Sequence, residues 1–372
     1  MLSRFEVENF KNFKSRLVFD LEDSKKFKFN ESAIKNGIIQ KGLIYGHNAK
    51  GKSNLGYAIF DILKHLSDKN VNDELYKNYA NADSGIGVVS FLYEFKLPSG
   101  KVRYSYTKDS HQSLIKEHIE INNKTFAKVD REKSSQAIIN AKGAESLKKE
   151  IENRYVSIVS YINKNSFLDR NDIANNVFYE FIEFIDSMLF FRSLNDGNSY
   201  MGHTVGVKEI DQDIIDRGNV KEFETFLNNI GVECILEVVE SFGLKILVWV
   251  FDDKVIPFFE IASSGTRALA LFYFWLQRIK KDNIKFVFID EFDAFYHFEL
   301  AKNIVEILKK EDIQVILTTH NTSLISNEIL RPDCYYLIDN HKLNNLSSLT
   351  LKELREAHNI EKMYKAGSFG RK

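Results

Sequence analysis

Apolar residues follow three patterns along this chain, and each predicts a different element. Alternation marks a half-buried strand at residues 2–10, and residues 16–21 read as its hairpin partner. Residues 88–97, 101–107 and 115–121 give three more strand-like runs, with Pro98-Ser99-Gly100 as a turn between the first two. These predict an antiparallel sheet beside the rest of the fold. Continuous apolar runs, the form of buried parallel strands, occur at 42–45, 286–289 and 315–317, and the last two end in polar tips. Helical spacing places Leu55, Ala58, Ile59, Ile62 and Leu63 on a helix over 54–66, and Val220, Phe223, Phe226, Leu227 and Ile230 on one over 219–230. Residues 268–276 read as a further apolar helix.

Between these patterns the texture changes. Charged residues dominate 128–154, where residues 145–154 read as a short helix, far too short for a long coiled coil. Residues 172–192 read as a helix that buries most of its girth, with Glu180, Glu183 and Asp186 stepping by three. Its aromatic surface either packs inside an inserted subdomain or docks a partner or a second copy of the chain. The expected division is residues 1–125 and 241–372 as the two parts of an α/β core, with 126–240 as an inserted, mainly helical subdomain.

Composition narrows the class. With 372 residues, 44% hydrophobic and 28% charged, the chain can bury a sizeable core. It has no run of about 18 uncharged apolar residues, so no membrane span is expected. Acidic residues stand in the first ten positions where a signal peptide has an apolar core, and Cys234 and Cys334 form no CxxC pair. Both point to a reducing, cytoplasmic setting. The net charge of −1 gives no global attraction to nucleic acid. DNA contact, if any, falls to local groups such as Lys25, Lys26 and Lys28, or Lys365, Arg371 and Lys372.

The chemistry centres on Gly46-His47-Asn48-Ala49-Lys50-Gly51-Lys52-Ser53, a complete G-x-x-x-x-G-K-[ST] phosphate loop followed by Asn54. It sits between the predicted strand at 42–45 and the predicted helix at 54–66, as such a loop requires. Gly46 and Gly51 let backbone N–H groups turn inward around a β-phosphate at a helix N-terminus. Lys52 would neutralise β/γ oxygens and the Ser53 hydroxyl would ligate Mg²⁺, so a nucleotide and Mg²⁺ are the expected ligands. Phe286-Val287-Phe288-Ile289-Asp290-Glu291 delivers two acids at a strand tip and looks like a Walker B element. Asp290 would hold the metal through water, and Glu291 would act as general base or orient the attacking water. Ser263-Ser264-Gly265 leads into the helix at 268–276. It reads either as a simple cap or as hydroxyls and amides suited to a γ-phosphate.

In order along the chain, these motifs resemble the RecF/SMC/OLD branch of ABC-type ATPases. The start Phe5-Glu6-Val7-Glu8-Asn9-Phe10-Lys11-Asn12-Phe13 is similar to that branch's opening, and Ser263-Ser264-Gly265-Thr266-Arg267 falls where its signature motif falls. The tail at 355–370 looks like that of RloA-type ATPases, found with restriction and anti-phage systems. The resemblance implies a P-loop NTPase fold of ABC-ATPase type: a mixed-sheet core with an antiparallel β subdomain and an inserted helical subdomain. It implies roles for His320 as a γ-phosphate sensor and for Asp293 in a D-loop. It also implies an ATP-sandwich homodimer or higher oligomer, in which each Ser263–Gly265 segment completes the other copy's phosphate loop. The chain departs from the branch in three respects. Ser264 stands where transporters have glycine, residues 54–262 hold no long coiled-coil arm, and no Q-loop glutamine is assigned near residues 161–165. Only residues 321–372 follow His320, too few for a Toprim domain. The expected role is therefore an ATPase that controls a separate effector, such as a Toprim or HNH nuclease in anti-phage defence. The alternatives are a RecF-like repair ATPase that binds DNA itself, or an ATP-dependent scaffold with little turnover.

Overall fold

Two seven-stranded sheets face each other across the phosphate-loop helix. The computed structural model describes residues 1–22, 25–69, 71–193, 200–203, 209–241, 243–339 and 341–370. The core sheet runs in the order Tyr200–Gly202, Met188–Arg192, Phe286–Asp290, Gln314–Thr319, Lys41–Tyr45, Tyr335–Asp339, Lys342–Asn345. Its five inner strands are parallel and its two edge strands antiparallel. Helices and the second sheet cover it, which is why its central strands are apolar without alternation.

The second sheet is antiparallel throughout, in the order Ser134–Ile139, Lys124–Asp130, Ser113–Ile121, Gly100–Ser110, Val89–Leu97, Leu2–Glu8, Leu17–Asp20. Val89, Phe91, Tyr93 and Phe95 alternate onto its buried face. From that face the Tyr93 hydroxyl donates to the Ala58 carbonyl at 3.0 Å, in the phosphate-loop helix Lys52–Phe60. The opposite side of that helix lies so close to the core sheet that a Cβ on Gly56 would stand 2.7 Å from the Phe190 ring and 2.8 Å from that of Phe288.

Four expectations need correction. Residues 126–240 are not a separate, mainly helical subdomain. Lys124–Asp130 and Ser134–Ile139 extend the antiparallel sheet, and Met188–Arg192 joins the core sheet beside Phe286–Asp290. Residues 145–154 are not helical: Ala137 donates to the Lys149 carbonyl, and Gln136 bridges to Glu150, so this stretch runs beside the outermost strand. The charge that suggested a solvated helix belongs to a sheet edge, where it blocks further pairing. Finally, the helix read over 172–192 is Ile173–Asp186, and a strand follows it. Its aromatics do not form a free docking surface, because Phe181 and Phe184 pack against Phe95, and Phe178 stacks on Phe126. The predicted helix at 54–66 also breaks after Phe60 and resumes at Leu63–Leu66. Among the described residues no helix is long and apolar enough to cross a membrane.

Asp61, at the end of the phosphate-loop helix, is fully buried. Its carboxylate accepts from Tyr79 and Tyr106 at 2.8 Å each and from the Lys108 ammonium at 2.7 Å. Lys108 also donates to the His111 carbonyl, and the His111 ring stacks on Tyr76 with centroids 3.7 Å apart. Burying two charges is tolerable only when their remaining hydrogen bonds are made, as they are here. Lys108→Met should therefore destabilise the protein by about 3–5 kcal/mol, because it strands the Asp61 charge in the core. Urea denaturation would measure the loss.

Burial pushes the His111 pKa down to about 4, with Lys108 acting in the same direction and Asp61 against it. The folded state keeps this ring neutral where the unfolded chain protonates it, so stability falls as pH drops from about 6.5 towards 4. The contribution is on the order of 3 kcal/mol, and His111→Gln should flatten that part of the stability–pH curve.

Candidate functional site

The strand Lys41–Tyr45 ends at Gly46, whose N–H donates to the Thr319 carbonyl of the neighbouring strand at 3.3 Å. A Cβ on Gly46 would stand 2.4 Å from Ile338 Cγ2, so the first motif glycine is required by packing. Gly51 has φ +100, and a Cβ there would meet the Asn12 side chain at 2.4 Å. Conformation and space both demand glycine at this position. His47, Asn48 and Ala49 arch into solvent between these anchors. Asn12 braces the arch from outside, donating to the Lys50 carbonyl at 3.4 Å and accepting from Asn54 at 2.7 Å. Lys50 itself pairs with Asp339 at 2.9 Å.

Lys52 is buried and folds back over its own loop, donating to the Gly46 carbonyl at 2.8 Å and the His47 carbonyl at 3.2 Å. Burial lowers its pKa, while Glu291, Asp290 and Asp293 pull the other way. An ammonium that exchanges two neutral carbonyls for anionic phosphate oxygens adds an ion pair to its hydrogen bonds.

Asp290 closes the strand Phe286–Asp290 and is fully buried. One oxygen, Oδ2, accepts from Ser53 Oγ at 2.6 Å and lies 3.1 Å from Arg192 Nε; the other, Oδ1, accepts from Thr318 Oγ1 at 2.7 Å. Glu291 follows with φ +51, a left-handed conformation that costs a non-glycine residue about 1 kcal/mol or more. Its N–H donates to Thr318 Oγ1 at 2.8 Å, and its carboxylate lies 3.5 Å from Arg192 Nη2. The left-handed backbone at Glu291 opens the turn that follows the strand. Asp293 is buried nearby, and burial raises its pKa against the influence of Thr319 and His320.

His320 is exposed and immediately follows the strand Gln314–Thr319. Because Thr319 pairs with Tyr45, His320 and Gly46 leave adjacent strands at the same level. The structure thus gathers the phosphate loop, Asp290, Glu291, Asp293 and His320 at one edge of the core sheet.

Ser263, Ser264 and Gly265 behave differently. Ser263 caps the helix Ser264–Lys281, accepting from the Thr266 N–H at 3.2 Å, and its hydroxyl bonds Thr266 Oγ1. These bonds stay within the helix's own first turn. Ser263 and Ser264 are exposed, and the nearest atom to a Cβ on Gly265 would be the Phe295 carbonyl at 3.5 Å.

The donor set fits a small hard cation: one hydroxyl and one carboxylate converge, the sparse protein share that Mg²⁺ takes when phosphates and water complete its shell. Among the described residues no group of three His, Cys, Asp or Glu could hold a metal alone. Sequence reasoning missed Asn12, Thr318 and Arg192 as participants. Arg192 was hidden because residues 172–192 read as one helix; as a strand, its arginine tip beside Asp290 is the signal. Of the basic groups considered for DNA, Lys365 pairs with Glu361, and Arg371 and Lys372 lie outside the described residues.

Among solved structures, the chain is similar to the SMC head domain from Thermotoga maritima, at 13% identity and a TM-score of 0.43 over 92% of this chain and 97% of that one. It is also similar to an SmcHead bound to the C-winged helix domain of ScpA, at 14% identity and a TM-score of 0.45 over 92% of this chain and 96% of that one. Likeness at this level says nothing about activity. No curated protein matches. The family model described as "AAA domain, putative AbiEii toxin, Type IV TA system" matches residues 43–326. That span runs from the phosphate-loop strand past His320, and the chain belongs to this family of AAA ATPase domains.

Proposed function

We propose that the chain binds Mg-ATP at residues 46–54 and hydrolyses it, and that two copies close around two nucleotides to control a separate effector. The observation that carries the hydrolytic reading is the Ser53–Asp290 bond beside Glu291 and the buried Lys52. It joins a phosphate cradle to a metal position and to a carboxylate on a strained turn. Mg²⁺ bound there would neutralise phosphate charge as the terminal phosphoryl group departs. The protein's own residues do the rest. Loop amides hold the β-phosphate, Lys52 leaves its two carbonyls for β/γ oxygens, and Glu291 accepts or aligns a proton of the attacking water. In this reading His320, level with Gly46, senses the γ-phosphate.

The dimer reading rests on Ser263, Ser264 and Gly265. They sit at the N-terminus of an 18-residue helix, with exposed hydroxyls bonded only locally. Such a terminus attracts phosphate, and the opposite copy's loop would supply one. An effector nuclease of Toprim or HNH type in anti-phage defence, and an affinity with RloA-type ATPases, are supported by the form of the 263–267 and 355–370 segments.

Lys52→Ala should weaken ATP binding by on the order of 10²-fold or more, because charge-assisted bonds to phosphate are each worth about 1.5–3 kcal/mol. Thermal melting should show a folded protein. Unchanged affinity in a nucleotide titration would sink the assignment of this loop.

Glu291→Gln keeps size and removes the base, so phosphate release should slow by roughly 10²–10⁴-fold while Mg-ATP still binds. Light scattering with Mg-ATP should then detect a persistent dimer. Wild-type turnover would remove Glu291 from catalysis, whereas a monomeric, inactive variant would refute the sandwich and leave the ATPase reading standing.

A further inference from the structure

Asp290 is a fully buried carboxylate, and its two hydroxyl donors, Ser53 and Thr318, are neutral. Hydrogen bonds alone do not offset the removal of such a charge from water. The Lys52 ammonium is turned towards the Gly46 and His47 carbonyls. Arg192 supplies the counter-charge, with Nε 3.1 Å from Asp290 Oδ2. It does so from a fixed base: Arg192 pairs with Asp290 across two parallel strands, and the Ser193 N–H donates to the Asp290 carbonyl at 3.2 Å.

The oxygen that Arg192 faces is the one that Ser53 bonds. A divalent cation held by Ser53 and, directly or through water, by Asp290 would draw on this same oxygen. The guanidinium at 3.1 Å from Oδ2 would then confront a second positive centre over a single oxygen. Its far end already has other partners, with Nη2 3.5 Å from Glu291 Oε2 and Nη1 3.4 Å from the Tyr57 hydroxyl. The side chain is 24% exposed, so it has room to pivot about those contacts.

We propose that Arg192 is a built-in stand-in for the metal, holding Asp290 while the site is free of nucleotide and yielding Oδ2 to the incoming divalent cation. It is a positioning residue that sets metal affinity through the ion pair the metal must displace. The proposal rests on the reading of Ser53 and Asp290 as the metal position.

The test uses the full chain with Arg192→Met and Arg192→Lys, reading Mn²⁺ binding in the presence of ADP from the electron paramagnetic resonance of free Mn²⁺. Arg192→Met should bind Mn²⁺ about tenfold more tightly than wild type, because no pair has to be displaced. Arg192→Lys, which keeps the charge and carries the test should the methionine variant not fold, should fall between the two. Melting in EDTA should be lower for Arg192→Met, and the deficit should shrink when Mg-ADP is added. Unchanged or weaker Mn²⁺ affinity in both variants, or an equal melting deficit with and without Mg-ADP, would overturn the proposal. Asp290→Asn separates the two levels. If it abolishes Mn²⁺ binding while the Arg192 variants leave it unaltered, only the stand-in role fails; if Asp290→Asn binds Mn²⁺ normally, the metal position itself is wrong.

Discussion

The close approach of the phosphate-loop helix to the core sheet governs the rest of the structure. Gly56 lets the helix settle onto the Phe190 and Phe288 rings, and Tyr93 clasps it from the other sheet. A helix covered on both sides has little freedom to tilt. Its first residues, Lys52 and Ser53, are therefore held at a set height above the strand tips that carry Asp290 and Thr319. The Ser53–Asp290 bond at 2.6 Å follows from that height, because a Cβ at residue 56 would push the helix away from the strand that bears Asp290.

Each end of this short helix carries a buried acid matched to a cation from a different element. Asp290 meets Ser53 and Arg192 at its N-terminal end, and Asp61 with Lys108 and two tyrosines closes its C-terminal end. The first arrangement joins core strands around the site. The second ties the helix to the antiparallel sheet. The surroundings of the two ends differ in how fully their carboxylate oxygens are bonded, and the difference suits their positions. Asp61 is surrounded by committed donors, whereas Glu291 Oε2 and Asp293 Oδ1 are buried without a hydrogen-bond partner among the described residues. Unmet acceptors at a nucleotide edge are sites where water, metal or phosphate can add bonds that the protein alone does not make.

Much of this arrangement was legible in the sequence. The phosphate loop, the apolar strands at 286–289 and 315–317, and the antiparallel hairpins follow from motif and periodicity, and they suffice to bring Lys52, Ser53, Asp290 and Glu291 together. The gaps have physical causes. Met188-Leu189-Phe190-Phe191 continues a helix's apolar pattern without interruption, and periodicity cannot separate a buried strand from a buried helix over so few residues. Missing that strand concealed Arg192 and turned the segment 126–240 into a separate unit. The strands Lys124–Asp130 and Ser134–Ile139 were obscured by the charges that protect a sheet edge. Thr318 and Asn12 carry no motif of their own; their places come from strand register and from the tight turn at Gly51.

The order of strands in the core sheet has a consequence for biosynthesis. Lys41–Tyr45, which bears the phosphate loop, pairs on one side with Gln314–Thr319 and on the other with Tyr335–Asp339. Neither neighbour exists until most of the chain has left the ribosome. The antiparallel sheet, drawn from residues 2–139, can pair its strands long before that. During translation the nascent chain thus carries an assembled sheet beside an apolar strand whose partners have not been made, a state of high contact order that folds slowly and exposes sticky surface to chaperones and to other chains.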